Sequence, residues 1–162
     1  MHPIYDELID AALRECRRHY GADLVSVGAF GSVGRGTPTA DSDIDLLIVS
    51  EGLPRGRLAR SDDFVAVEKA MAQNLAKAYA LGLHPSLSPI FKTPDEVAAG
   101  SPLFLDMIDD ARIVYDRDDF LKQAFSDFAG RLARLGAKRI WRDNSWYWDL
   151  KPDYKPGEVF EI

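Results

Sequence analysis

The chain has 162 residues, 46% of them hydrophobic and 28% charged, which is an ordinary composition for a globular protein with a sizeable core. Its formal net charge of −6 argues against broad electrostatic binding to nucleic acid, although Lys138, Arg139 and Arg142 could form a local basic patch. Because no apolar stretch could span a bilayer and no secretory signal opens the chain, we expect a cytoplasmic protein with neither membrane nor nucleic-acid partner.

The first half of the chain predicts a helix, a strand, a tight turn and a second strand. Apolar residues recur at helical spacing over residues 3–19, and Gly21 is suited to end that helix because glycine tolerates the left-handed conformation. Within the helix, Cys16 is expected to be a small buried side chain rather than a reactive thiol. Apolar runs predict strands over residues 24–30 and 44–49, separated by a glycine-rich turn and a polar loop.

The second half alternates helices with short strands. Its predicted elements are a basic loop over 52–60, a helix over 64–81, a strand over 86–91, a short helix capped by Thr93, another over 102–109, a strand over 112–115 and a helix over 118–135. Pro89 cannot donate a ladder hydrogen bond, so it favours an edge position or a bulge for its strand. This alternation predicts a single α/β domain with a mixed sheet flanked by helices.

The C-terminal tail differs in character from the rest of the chain. Trp141, Trp146, Tyr147 and Trp148 cluster within a few residues, and prolines further on limit regular structure. These side chains could stack on an adenine, form a surface for a partner protein or pack over the core. Packing is favoured, because aromatic side chains dominate cores and interfaces alike. We therefore expect an aromatic C-terminal extension.

The most informative segment joins a tight glycine turn to two aspartates. Gly31 and Ser32 follow the first predicted strand, and Asp43 and Asp45 open the second. Because alternate residues of a strand point to one face, both carboxylates can converge on one point, where they would suit Mg²⁺ bound together with substrate phosphates. Backbone N–H groups of the turn could hold those phosphates. The segment therefore predicts a nucleotide site.

Gly31-Ser32, ten intervening residues and Asp43-Ile44-Asp45 together resemble the signature of the nucleotidyltransferase superfamily related to DNA polymerase beta. Arg35 and Gly36 strengthen the likeness, which is close over residues 24–50. The resemblance implies an α/β (α+β) nucleotidyltransferase fold over residues 1–162, with its core over about 20–116 and a C-terminal helix and tail over 118–162. It also implies two-metal transfer of a nucleoside monophosphate, AMP from ATP, to a hydroxyl group.

The same resemblance assigns roles to individual residues. Asp43 and Asp45 would be the catalytic residues and the ligands of one or two Mg²⁺ ions. The residues that bind ATP or another nucleoside triphosphate would be Gly31, Ser32 and Arg35. Arg35 could equally pair with an acidic neighbour such as Asp41 or Asp43, since its planar fork suits carboxylate and phosphate alike.

The predicted strand over 86–91 departs from the family pattern. Members that catalyse transfer usually carry a third carboxylate there, which completes the metal site and helps to deprotonate the attacking hydroxyl. Here Ser86 and Ser88 stand where that carboxylate is expected. Acids of neighbouring elements that could reach in are Asp95, Glu96 and Asp106.

Three functions follow from these patterns. The leading hypothesis is an Mg²⁺-dependent transferase that moves AMP onto a hydroxyl of a partner protein, since small members of the superfamily include antitoxins that adenylylate a tyrosine of a helical HEPN-domain partner. The alternative is a catalytically degenerate module that binds nucleotide or a partner. Transfer to a small molecule, as in aminoglycoside nucleotidyltransferases, is third, because those enzymes usually carry additional helical structure that this chain lacks.

Overall fold

The computed structural model describes residues 2–143 and 145–162. The helices are α1 (Pro3–Tyr20), α2 (Gly31–Gly34), α3 (Arg57–Ala80), α4 (Pro94–Ala98) and α5 (Phe120–Arg134), and the strands are β1 (Leu24–Phe30), β2 (Ile44–Ser50), β3 (Leu87–Lys92), β4 (Arg112–Asp116), β5 (Lys138–Arg142) and β6 (Ser145–Asp149). Short 3₁₀ turns cover Gly21–Asp23, Pro102–Asp106 and Arg117–Asp119. Across the described residues, every helix is too short or too polar to cross a membrane.

Four strands form a mixed sheet in the order β3-β2-β1-β4. β1 runs antiparallel to both β2 and β4, whereas β2 and β3 run parallel and are joined by the long crossover helix α3. A parallel pair needs such a crossover, because no tight turn can return the chain to the same end of the sheet. The expected mixed α/β fold is therefore confirmed, and Pro89 lies on an edge strand.

Helices cover both faces of the sheet, and β2 contributes to both hydrophobic cores. Its residues Ile44 and Leu46 are buried against α1 and α3, whereas Leu47 and Val49 are buried against α4, α5 and the C-terminal tail. This alternation follows from the two-residue period of a strand, and it places Asp45 on the same side as Leu47.

Cys16 lies in the core between α1 and the sheet and is fully buried. Burial raises the pKa of its thiol to about 12, because the charged thiolate is disfavoured away from water. The side chain therefore acts as a small hydrophobic group, which confirms the sequence prediction.

Three elements differ from the sequence prediction. In place of the helix predicted over 102–109, the chain forms a 3₁₀ turn over Pro102–Asp106. Helix α3 begins at Arg57, inside the predicted basic loop, because arginine, leucine and alanine favour helix once Gly56 has turned the chain. The tail contains the hairpin β5–β6, in which Trp141 lies opposite Trp146, and the turn includes Asp143 in a left-handed conformation. The tail prolines begin only at Pro152, so they do not interfere with this pairing.

Gly34 lies where two segments of backbone approach each other closely. A Cβ atom on Gly34 would lie 2.7 Å from the carbonyl oxygen of Ala29 and 3.0 Å from that of Asp110. Neither backbone oxygen can move without disturbing the end of β1 or the segment before β4. Glycine is therefore required here for lack of space.

Replacing Gly34 by alanine is expected to lower the free energy of unfolding by about 1–3 kcal/mol, the usual cost of an overpacked site. The matched control is Gly130→Ala in α5, where the new Cβ would meet only the end of the Arg134 side chain at 3.7 Å. Gly130→Ala should instead raise the free energy of unfolding by up to about 1 kcal/mol, because alanine favours helix over glycine. Urea denaturation followed by circular dichroism measures both, and equal effects of the two changes would contradict the steric argument.

Candidate active site

The end of β1, the helix α2 and the start of β2 bring the predicted site residues together. Phe30 at the end of β1 pairs with Asp45, so Gly31, the next residue, lies directly beside the Asp45 carboxylate. Gly31 has a φ of 64°, and a Cβ atom there would overlap the carboxylate oxygen Oδ2 of Asp45. Glycine is therefore needed at this position both for its backbone conformation and for its size.

The loop between α2 and β2 is held by hydrogen bonds at both of its ends. The amide of Thr37 donates to the Ser32 carbonyl at 2.8 Å, which folds the chain back over α2. Further along, the hydroxyl of Tyr5 in α1 donates to the Thr39 carbonyl at 2.6 Å. These bonds fix the path of the chain between the glycine turn and the two aspartates.

Each aspartate has a serine neighbour in or just before the edge strand β3. Asp45 lies opposite Ser88 in the parallel ladder, and interaction with the Ser88 hydroxyl favours its charged form. Asp43, just before β2, accepts a hydrogen bond of 2.6 Å from the hydroxyl of Ser86. The two serines therefore orient the two carboxylates from one side and leave their remaining oxygen lone pairs available.

The environment of Asp45 is unfavourable for its charged form. Partial burial raises the pKa of the Asp45 carboxyl, and the nearby charge of Asp43 raises it further. The Ser88 hydroxyl and the positive charge of Arg35 act in the opposite direction but do not cancel the shift. A cation held between the two neighbouring carboxylates would favour the charged form of Asp45, so the pair is suited to bind one.

β3 carries no acid, as the sequence predicts, and two of the three acids that could have replaced it have other partners. Glu96 binds Arg60 through both carboxylate oxygens, at 2.7 and 3.1 Å, and completes the cap of α4 with Thr93. Asp106 accepts a hydrogen bond from the indole of Trp146, and Asp95 lies in the first turn of α4. Among residues 2–143 and 145–162, no three His, Cys, Asp or Glu side chains group as metal ligands.

Arg35 at the end of α2 contacts a carboxylate that the sequence analysis did not consider. Its guanidinium lies 3.6 Å from Asp110 rather than on Asp41 or Asp43, and 5.3 Å from the ring centre of Trp146. The side chain is 32% exposed. Its positive charge is close enough to lower the pKa of Asp45.

Asp110 also binds Arg139 in β5, at 3.1 Å, with only 14–15% of either side chain exposed. Sequence reasoning did not predict this pair: it considered Arg139 only for a basic patch with Lys138 and Arg142, and Asp110 lies in an irregular segment. The only available signal was the alternation of arginine and tryptophan along residues 139–148, which favours a strand pair.

Residues 9–115 match the family model described as nucleotidyltransferase domain. A putative protein adenylyltransferase of Methanocaldococcus jannaschii is 30% identical over 148 residues, which cover 90% of this chain and 93% of that protein.

Two solved structures show a weaker similarity. One is a toxin–antitoxin crystallised with AMP-PNP (17% identity, TM-score 0.45, 77% of this chain and 90% of the other). The second is a tri-AMPylated HEPN toxin of Shewanella oneidensis in complex with MNT antitoxin (14% identity, TM-score 0.46, 82% and 92%). Both TM-scores are low, so these similarities add nothing to the family match.

The raised pKa of Asp45 predicts how the stability of the metal-free protein depends on pH. A carboxyl group whose pKa is higher in the folded than in the unfolded protein lowers the free energy of unfolding as pH rises from the ordinary pKa through the raised one. Asp45→Asn removes that loss, so it should raise the free energy of unfolding at pH 7. The gain should shrink as the pH falls towards the ordinary pKa of aspartate.

Urea denaturation in the presence of EDTA, repeated across this pH range, measures the effect. Asp41→Asn is the matched control, because it removes the same charge from an exposed turn and Asp41 is not a cause of the raised pKa of Asp45. A gain from Asp45→Asn that does not vary with pH would contradict the assigned cause.

Proposed function

Because the chain belongs to the nucleotidyltransferase domain family, we propose that it transfers a nucleoside monophosphate, AMP from ATP, to a hydroxyl group of a partner protein. The observation that carries the proposal is the pair Asp43 and Asp45, held by two serines beside the glycine turn at Gly31. The relative named as a protein adenylyltransferase supports AMP as the transferred group and a protein as the acceptor.

The donor set at the two aspartates fits Mg²⁺. Asp43 and Asp45 offer hard carboxylate oxygens, and Mg²⁺ is usually bound by one or two carboxylates together with substrate phosphates. Burial and the neighbouring charge of Asp43 both disfavour the charged form of Asp45, and a bound cation would offset both effects. When bound, Mg²⁺ would stabilise the charge that develops on the phosphate oxygens during transfer.

The triphosphate would lie against α2 and the loop that follows it. We assign its binding to Gly31, Ser32 and Arg35. Gly31 lets the backbone approach closely, and Ser32 offers a hydroxyl group. Arg35 presents a partly exposed guanidinium whose charge already acts on Asp45. A planar guanidinium can bind a phosphate and a carboxylate at the same time, so its contact with Asp110 does not prevent this role.

Transfer then requires few protein groups. The oxygen of the acceptor hydroxyl forms a bond to the α-phosphorus of ATP, the bond from that phosphorus to the bridging oxygen breaks, and pyrophosphate leaves. The hydroxyl proton is released to solvent, since β3 offers serines and no carboxylate to accept it. This chain would therefore act by positioning the triphosphate beside the acceptor and by electrostatic stabilisation.

We further propose an antitoxin role in which the acceptor is a tyrosine of a helical HEPN-domain protein, and a cytoplasmic location for the pair. The similarity of the Gly31–Asp45 segment to minimal nucleotidyltransferases supports this choice.

A second candidate function is a module that binds nucleotide or a partner without transfer. It is favoured by one observation, the replacement of the third carboxylate by Ser86 and Ser88, which hold the aspartates but cannot act as general base or as anionic ligands. The two candidates differ in whether neutralisation of a partner needs the charges of Asp43 and Asp45.

Labelled nucleotide tests the proposed transfer directly. The protein is incubated with Mg²⁺, the product of its neighbouring gene and ATP labelled at either the α- or the γ-phosphate. Label should appear on the partner from α-labelled ATP only, and Asp43→Asn or Asp45→Asn should reduce it by about 100-fold or more, since each change removes a charged ligand of the electrostatic site.

Asp41→Asn, an equal change of charge in the same loop, should leave the label unchanged. If the partner binds and ATP binds but no label is transferred, the enzymatic proposal is wrong. In that case retained neutralisation by Asp45→Asn would establish the binding module.

A further inference from the structure

The hairpin β5–β6 lies outside the family-matched residues 9–115 but is fixed to the proposed triphosphate site. Arg139 in β5 binds Asp110 at 3.1 Å, and Asp110 lies 3.6 Å from Arg35. The indole nitrogen of Trp146 in β6 donates to Asp106 at 3.2 Å. The hairpin is thus positioned by polar contacts with the segment that also contacts α2.

One face of the hairpin is aromatic and cationic. The cross-strand pairs place Arg139, Trp141, Trp146 and Trp148 on the same face, because Trp141 lies opposite Trp146 and Arg139 opposite Trp148. Trp148 packs against the core of α5, whereas Trp146 lies further out, with the guanidinium groups of Arg139 and Arg35 at 4.3 and 5.3 Å from its ring centre.

Trp141 is the outermost member of this face. Its ring centre lies 5.1 Å from that of Trp146 and 5.1 Å from the guanidinium of Arg139, yet the residue remains 62% exposed. An indole supported from within by a cation and a second indole, and open to solvent, is a platform on which a planar group can stack. Because the Trp141 side chain is so exposed, packing in the core does not explain its position.

We propose that Trp141 stacks on the base of the nucleoside triphosphate, an inference that rests on the proposed function. Arg35 links the two parts of the ligand, because it lies beside the phosphate-binding turn and also against Trp146, the ring that supports Trp141. The partly exposed guanidinium of Arg35 can meet a polyanionic ligand, whereas the mostly buried guanidinium of Arg139 pairs with Asp110 and supports the rings. A base is the planar, π-rich group that would extend from phosphates held at Arg35.

The test compares ATP with inorganic tripolyphosphate, which has the phosphates but no base. Isothermal titration calorimetry in Mg²⁺ measures the Kd of each for the full-length protein. Trp141→Ala is expected to raise the Kd of ATP by about 5- to 100-fold, the range that base–aromatic stacking supplies, and to leave the Kd of tripolyphosphate unchanged. Trp141→Phe keeps a ring and should retain most of the affinity for ATP.

Tyr147→Ala is the matched control, because Tyr147 is 50% exposed on the opposite face of the same hairpin. The proposal is overturned if Trp141→Ala leaves the Kd of ATP unchanged, if it weakens ATP and tripolyphosphate equally, or if Tyr147→Ala weakens ATP as much. An unchanged Kd of ATP would instead assign the exposed indole to the surface for the partner protein. Failure of the wild-type protein to bind ATP at all would overturn the proposed function itself.

Discussion

The close approach of Gly31 to the carboxylate of Asp45 is the contact on which the candidate site depends. Antiparallel pairing of β1 with β2 places the residue after Phe30 beside Asp45, and only a glycine leaves room for the carboxylate there. Because the same glycine has a left-handed backbone conformation, it also turns the chain into α2. One residue thus sets both the direction of the turn and its distance from the acids.

In the absence of a ligand, the electrostatics of the site lower the free energy of unfolding. Asp45 is partly buried beside another carboxylate, and its neighbours in the described chain only partly offset the penalty. Ser86 and Ser88 are neutral, so they orient the acids without balancing their charge. Such an arrangement sacrifices some stability to keep the acids ready for a cation, as is common at functional sites.

The sequence predicts the two central strands well, because each is a short apolar run. It also predicts the glycine turn, because the spacing between Gly31-Ser32 and the two aspartates is typical of one family. The edge position of β3 also follows from Pro89, whose missing N–H restricts it there. The hairpin β5–β6 was not predicted, since aromatic residues such as Trp141 suit both a packed tail and a strand pair. The Arg35–Asp110 contact joins residues that are far apart in sequence, so no local sequence pattern predicts it.

The contacts that complete the site come from segments that are synthesised at very different times. Asp43 and Asp45 leave the ribosome well before Ser86 and Ser88, and Arg139 emerges only in the last part of the chain. A nascent or truncated chain therefore carries the two acids without the groups that orient them, even where β1 and β2 have already paired. Assembly of the site therefore waits for residues well downstream of the signature, so a chain cut before residue 86 would contain the signature residues without the arrangement described here.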